Sequence, residues 1–201
     1  MIRRTYIIGM LVLGLLLEGG VCWYASLESG SELETLRLTA RFSGRLSFFA
    51  YLGSCFYFLQ SQSNRKSGQL TLWFSVAFFA WVHLVHLGFL AANVIGNEVG
   101  LVPVKVLGGA LAYGMILVYP FVMRRLPRAS WWHPFHFYYV GFVMLMTFIA
   151  RVKGDFEGAT PERFHSVAIG LLCVTFVASM ALCFMRIKSS SRPPNVCNFP
   201  P

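Results

Sequence analysis

The sequence predicts an all-α integral membrane protein, a bundle of six transmembrane helices with N- and C-termini in the cytoplasm. Three observations carry that expectation. Hydrophobic residues make up 56% of the chain and charged residues only 12%, where a soluble domain typically has about 25% charged. Six long apolar stretches are almost free of charges, and the short connectors between them hold the rest. The basic residues also alternate from side to side, connector by connector.

Crossing the hydrocarbon core takes about 20 mostly apolar helical residues. The qualifying stretches are 6–25, 42–59, 70–92, 102–123, 135–150 and 164–185. The fifth is the shortest, and Trp131 and Trp132 extend it at the interfacial depth that tryptophan favours. Short connectors make successive helices antiparallel neighbours. One side of this arrangement collects Arg3, Arg4, Arg65, Lys66, Arg124, Arg125, Arg128, Arg186, Lys188 and Arg192, ten basic residues with no acidic one. The other collects Arg37, Arg41, Arg45, Lys105, Arg151, Lys153 and Arg163, balanced by Glu28, Glu32, Glu34, Glu98, Asp155, Glu157 and Glu162. The positive-inside rule places the first side in the cytoplasm. The formal charge of +9 is therefore a topology signal, and nucleic-acid binding is excluded as its explanation.

The expected domain organisation is one transmembrane domain, 1–188, followed by a Ser/Pro-rich disordered cytoplasmic tail, 189–201. Arg3 and Arg4 ahead of an apolar run resemble the start of a signal peptide. No small-x-small cleavage site follows, so the first helix is expected to stay. Cys22, Cys55, Cys173, Cys183 and Cys197 form no CxxC pair and read as ordinary small membrane residues. Localisation is expected in a cell membrane, the bacterial inner membrane, with the lipid bilayer as the first partner.

Ionisable side chains inside a membrane are costly without partners, so the histidines are the candidates for chemistry. His83 and His86 stand three apart in WVHLVHL and share a face of the third helix. Imidazole is a common axial ligand of haem iron held between helices. The plainer reading is a pair of hydrogen bonds to neighbouring helices. His133 precedes Pro134 at the inner interface, where water can satisfy it, and His136 lies one turn deeper. His165 opens the sixth helix as a solvated end residue or as a further ligand. Arg41 and Arg45, four apart on the second helix, read either as snorkelling interfacial cations or as holders of a buried anion such as haem propionates. Glu18 is placed to neutralise one of them.

Three motifs resemble the ferric reductase-like transmembrane family, which includes the haem-binding membrane subunit of the methionine sulfoxide reductase system. ARFSGRLS (40–47) looks like the Ala-Arg-Phe-x-Gly-Arg start of that family's second helix. FFAWVHLVHL (78–87) looks like its histidine-bearing third helix, and WHPFHFYY (132–139) like the Trp-x-x-x-His-x-x-x-Tyr opening of its fifth. The resemblance runs in order from about residue 38 to residue 149.

It implies a membrane electron-transfer protein in which histidines hold b-type haem. By position, His86 matches the third-helix ligand and His136 the first fifth-helix histidine. Relatives often carry a second fifth-helix histidine about thirteen residues on; this chain has Ile149 there, beside Phe148. The second ligand to an iron on His86 thus stays open between His83 and His165, and His136 is the candidate for a second haem. At 1.5 Å per residue, His86 and His136 differ by roughly 15 Å in depth, too much to share one iron. No flavin or nicotinamide domain is present, so the donor would be a separate flavoprotein or quinol, with a membrane or periplasmic partner subunit. The rival expectation is a non-haem membrane scaffold or partner subunit that kept the fold and lost the cofactor.

Overall fold

The computed structural model describes residues 4–63, 68–100, 103–127, 130–155 and 161–190. Every regular element in them is helical: α1 (Arg4–Glu28), α2 (Glu32–Ser63), α3 (Gly68–Gly96), α4 (Pro103–Val122), α5 (Trp132–Lys153) and α6 (Arg163–Ser190). From residue 191 onward the expected tail lies outside the described residues.

The helix ends follow from local chemistry. Ser31 caps α2, its Oγ accepting the Glu34 amide at 3.3 Å in a Ser-x-x-Glu sequence. Pro103 opens α4, where its missing N–H costs nothing. α5 closes on Gly154 at φ 76°. The Gly154 and Asp155 amides turn back to the Arg151 and Ala150 carbonyls at 3.3 and 3.0 Å, a Schellman closure that suits glycine. α3 closes the same way on Glu98, a non-glycine residue at φ 49°. Its amide and that of Val99 return to Ile95 and Val94.

α1, α3, α5 and α6 are long and apolar enough to cross a membrane, so the chain is a multi-pass membrane protein. α4 has a shorter apolar stretch, Val106–Val122. α2 does not meet the same measure, and its position explains why. It packs against α1, α3 and α6, and Thr39, Ala40, Ser43, Ser47, Phe48, Tyr51, Ser54, Cys55 and Phe58 on it are buried. That stripe repeats every three to four residues, the spacing of one helix face. A helix surrounded by protein accepts serine and tyrosine where a lipid-facing helix needs leucine. α1 is the opposite case. It buries only Gly14, Glu18 and Ala25 and exposes Leu13, Leu15, Leu16, Trp23 and Leu27 among others, as lipid contact requires.

Contacts along the seams set helix direction. Leu36 meets Gly96 and His86 meets Gly44, Ser47 bonds His83, and Ser54 bonds the Ser75 carbonyl. Each step forward on α2 is a step back on α3, so the two are antiparallel. Tyr138 to Ser179 and Phe148 to Phe164 give the same relation for α5 and α6. α1 runs parallel to α3, as Tyr6 to Phe74 and Gly14 to Trp81 show. The apolar core joins α2 and α3 to α4, α5 and α6 through Phe48, Tyr51, Phe79, Ile116, Phe137, Val140 and Leu172.

Two indoles tie helices by hydrogen bonds. Trp73 Nε1 donates to the Pro120 carbonyl at 2.8 Å, satisfying one of the free carbonyls at the end of α4. Trp81 Nε1 donates to the Leu11 carbonyl at 3.1 Å. The Trp81 ring occupies the space beside Gly14, where a Cβ would stand 2.5 Å from its Cδ1. Gly14→Val should therefore push α1 off α3 and cost about 1–3 kcal/mol. Gly9→Val, at a glycine with open space around it, should leave stability nearly unchanged. Thermal unfolding in one neutral detergent compares the two; equal midpoints would refute the close approach.

Candidate functional site

Three polar groups lie within the bundle, and each gathers residues named from the sequence. The first is on the α2–α3 seam. His83 is buried, with Nδ1 2.5 Å from Ser47 Oγ. Tyr113 of α4 stacks on its ring, 4.2 Å between centroids and 25° from parallel. His86 lies one turn further along, 5.7 Å from His83 between ring centroids. Its imidazole rests against the α2 backbone at Gly44, where a Cβ would come within 3.1 Å of Cε1. The glycine of the second-helix motif thus makes room for the histidine of the third-helix motif. Among the described residues His86 makes no hydrogen bond, and its Nδ1 is buried without a partner.

The second group is built on Tyr119 of α4. His136, 2% exposed, stacks face to face on the phenol ring at 3.7 Å and 10°, and its Nδ1 has no partner. His133 Nδ1 lies 2.7 Å from the Tyr119 hydroxyl and its Nε2 lies 3.0 Å from the Pro127 carbonyl. A carbonyl only accepts, so Nε2 carries the proton and Nδ1 accepts from the tyrosine. This corrects the expectation for His133. It is buried and satisfied by protein at both nitrogens, because Pro127 in the α4–α5 connector folds back over it.

The third group sits where α2 meets the start of α6. Arg41 Nη1 pairs with Glu162 Oε1 at 2.6 Å, and Arg45 Nη2 with Oε2 of the same carboxylate. The Arg45 guanidinium also lies over the Phe42 and Phe164 rings, 4.9 and 4.8 Å from their centroids, a favourable placement for a cation. Arg151 of α5 stands within electrostatic reach of Arg41, Arg45 and Glu162, and of His86 and His165. His165 is 3% exposed, in contrast to the solvated end residue expected. Its Nδ1 accepts the Glu162 backbone amide at 3.3 Å, the back-reaching arm of a helix cap. Glu18 pairs with neither arginine; the acid that holds them is Glu162.

These placements bear on haem. One axial position fits, since His86 is a half-buried imidazole whose Nδ1 is buried and unpartnered. A bis-histidine pair is not formed among the described residues. His83 leaves the same helix on the same side as His86, so a porphyrin cannot pass between them. Tyr113 covers the face of His83, and His136 belongs to the separate Tyr119 group. Two cavities between the described residues touch no histidine. One, of about 20 Å³, lies between Tyr51, Phe137 and Phe176; the other, an open groove of about 580 Å³, runs between Tyr6, Tyr57 and Phe74. The described residues contain no cluster of three or more His, Cys, Asp or Glu side chains. Cys22, Cys55 and Cys173 are free thiols.

Comparison with protein-family models, curated proteins and solved structures gives no match for this chain.

Reading the sequence missed four partners: Ser47, Tyr113, Tyr119 and Glu162. Ser47 was findable, one turn beyond Ser43 on the α2 face that meets the histidines. The tyrosines and Glu162 carry no local signal, since their roles depend on α4 and α6 packing beside α3, α5 and α2. Glu162→Gln should strand two guanidiniums and cost about 1–3 kcal/mol, within the range for breaking a part-buried ion pair. Glu34→Gln, which breaks the exposed pair with Arg37, should cost less than about 1 kcal/mol. Chemical unfolding of both variants compares the costs, and equal values would show that the Glu162 clamp is not structural.

Proposed function

We propose that this chain is a six-span membrane electron-transfer protein of the ferric reductase-like kind, with a b-type haem on His86. The observation that carries the reading is the contact between the two resemblance motifs. Gly44 of ARFSGR and His86 of HLVHL lie far apart in sequence and touch in the bundle, with the His86 Nδ1 unpartnered at a buried site. A buried imidazole nitrogen without a partner costs about 1–3 kcal/mol. A histidine bound to metal through one nitrogen typically gives the other to a hydrogen-bond acceptor.

When bound, the haem would supply one-electron transfer through the low-dielectric bundle. The chain's own residues have defined tasks around it. Gly44 sets the position of His86. Ser47 and Tyr113 hold His83 beside it. Arg41, Arg45 and Arg151 bring positive charge to the same end of the bundle, where propionates would compete with Glu162 for the guanidiniums. His165 is the other candidate ligand for that iron, and His136, in the separate Tyr119 group, would serve only a second haem. The donor would be a separate flavoprotein or quinol, and the ends carrying Lys66, Arg128 and Lys188 would face the cytoplasm of a bacterial inner membrane.

The second reading is the non-haem scaffold or partner subunit. It is favoured by Glu162 already occupying both arginines and by the absence of a facing second imidazole among the described residues.

An optical spectrum of the protein purified from haem-replete cells, before and after dithionite, separates the two readings. The first expects a Soret band that His86→Ala removes or at least halves, with His133→Ala leaving it intact. A protein with no Soret band would establish the second. Topology is tested apart from haem. Reporter fusions after Lys66, Arg128 and Lys188 should read cytoplasmic, and fusions after Glu34, Glu98 and Glu157 external. An external readout after Lys188 would overturn the even span count.

A further inference from the structure

Eight side-chain atoms among the described residues are buried without a hydrogen-bond partner. Four of them are both carboxyl oxygens of Glu18 on α1, Ser43 Oγ on the facing α2, and Thr39 Oγ1 one turn from Ser43 on α2. Glu18 is 1% exposed, Thr39 1% and Ser43 0%. Glu18 is also the one acidic residue in an otherwise acid-free apolar stretch, since the other seven acids lie in or beside connectors. Ser43 is the hydroxyl that acts on the Glu18 carboxyl, without closing a direct bond to it.

Among the described residues no cation compensates this acid. Arg41 and Arg45 turn to Glu162, and Arg37 turns to Glu34. From α3, His83 is held by Ser47 and His86 lies against Gly44. A bare carboxylate at such a site would carry the full cost of a desolvated charge. The neutral acid needs only hydrogen bonds, and adjacent unmet oxygens with room for two to four bonds are what a buried water satisfies.

A row of hydroxyl side chains on α2 also runs from this seam toward the end of the bundle. Thr35, Thr39, Ser43 and Ser47 recur every fourth residue on α2, one above another and about 6 Å apart along the axis. That spacing is too long for a direct bond and suits one bridging water between hydroxyls. At the α1–α2 turn the row begins with Thr35 Oγ1, 2.5 Å from Ser29 Oγ, beside exposed Gly30 and Ser31.

We propose that Glu18, Thr39 and Ser43 form a hydrated proton-binding site between α1 and α2, reached from the α1–α2 turn along the Thr35–Thr39–Ser43 row. The ligand is a proton carried with water. Each transfer breaks one O–H bond as it forms the next, and an incoming proton replaces the one that leaves, so no charge is stranded and no oxidant is needed. The site is independent of haem.

Infrared difference spectroscopy of the full chain in lipid nanodiscs tests it, in water and in deuterium oxide near neutral pH. The wild type should show the carbonyl stretch of a protonated carboxylic acid. Glu18→Gln should remove that band, and Ser43→Ala should shift it to higher frequency by taking away the anchor of the water that bonds the acid. The band should move on deuteration within minutes. Thr39→Val should slow that exchange roughly tenfold, the effect of about 1.4 kcal/mol on a barrier. Should Glu18→Gln fail to fold, the Ser43→Ala shift assigns the band. A wild type with no such band, a band that stays unexchanged for days, or a band lost on adding sodium would each overturn the proposal, the last by making the seam a metal-cation site.

Discussion

A backbone in hydrocarbon has no water to bond, so each helix must satisfy itself, and every polar side chain it carries must find a partner at a helix seam. In this bundle that constraint falls on α2. It holds a row of hydroxyls, two arginines and a tyrosine, and it is surrounded by α1, α3 and α6. The α2–α3 seam absorbs most of the load. Serines bond a histidine and a carbonyl across it, and Gly96 and Gly44 let Leu36 and His86 close against the facing helix. Once α2 and α3 are locked in register, Trp81 sets α1 and Trp73 sets the end of α4.

The histidines illustrate how the bundle makes ionisable groups tolerable. Rings are laid against rings: His83 on Tyr113, His136 on Tyr119, His165 near Phe148. The aromatic face excludes water while a hydroxyl, carbonyl or amide meets a ring nitrogen where one is in reach. His133 has both nitrogens met, His83 and His165 have one each, and the buried Nδ1 atoms of His86 and His136 have none. The two unmet imidazoles lie in different ring groups, so they mark two places for chemistry and not one shared centre. That division agrees with the difference in depth expected from helix rise alone.

At the Arg41–Arg45 turn of α2 the charge pattern is resolved by one acid. Glu162 receives both Arg41 and Arg45, and its own backbone amide is held by His165, so the start of α6 and the arginine turn of α2 are a single unit. A cofactor that needed those guanidiniums would have to share them with Glu162. Glu18, the acid placed closest by sequence to that role, is instead left among hydroxyls on the other side of α2. Its isolation follows from that choice of partner.

How much was legible depended on the range of the information. Composition and apolar periodicity by themselves determined the all-helical membrane character, because lipid contact must be written into every exposed residue of α1, α3, α5 and α6. Local signals such as Ser31 before Glu34 and Gly154 after Lys153 are sufficient to end helices. Periodicity also put His83 with His86 and Arg41 with Arg45, since neighbours on one helix face need no tertiary structure. The tertiary structure alone decided that His133 is buried, that Tyr119 gathers two histidines, and that Glu162 rather than Glu18 neutralises the arginines. Each of these joins side chains from different helices, or from a helix and a connector that folds back on it. Short-range sequence pattern specifies faces, and only packing specifies which faces meet.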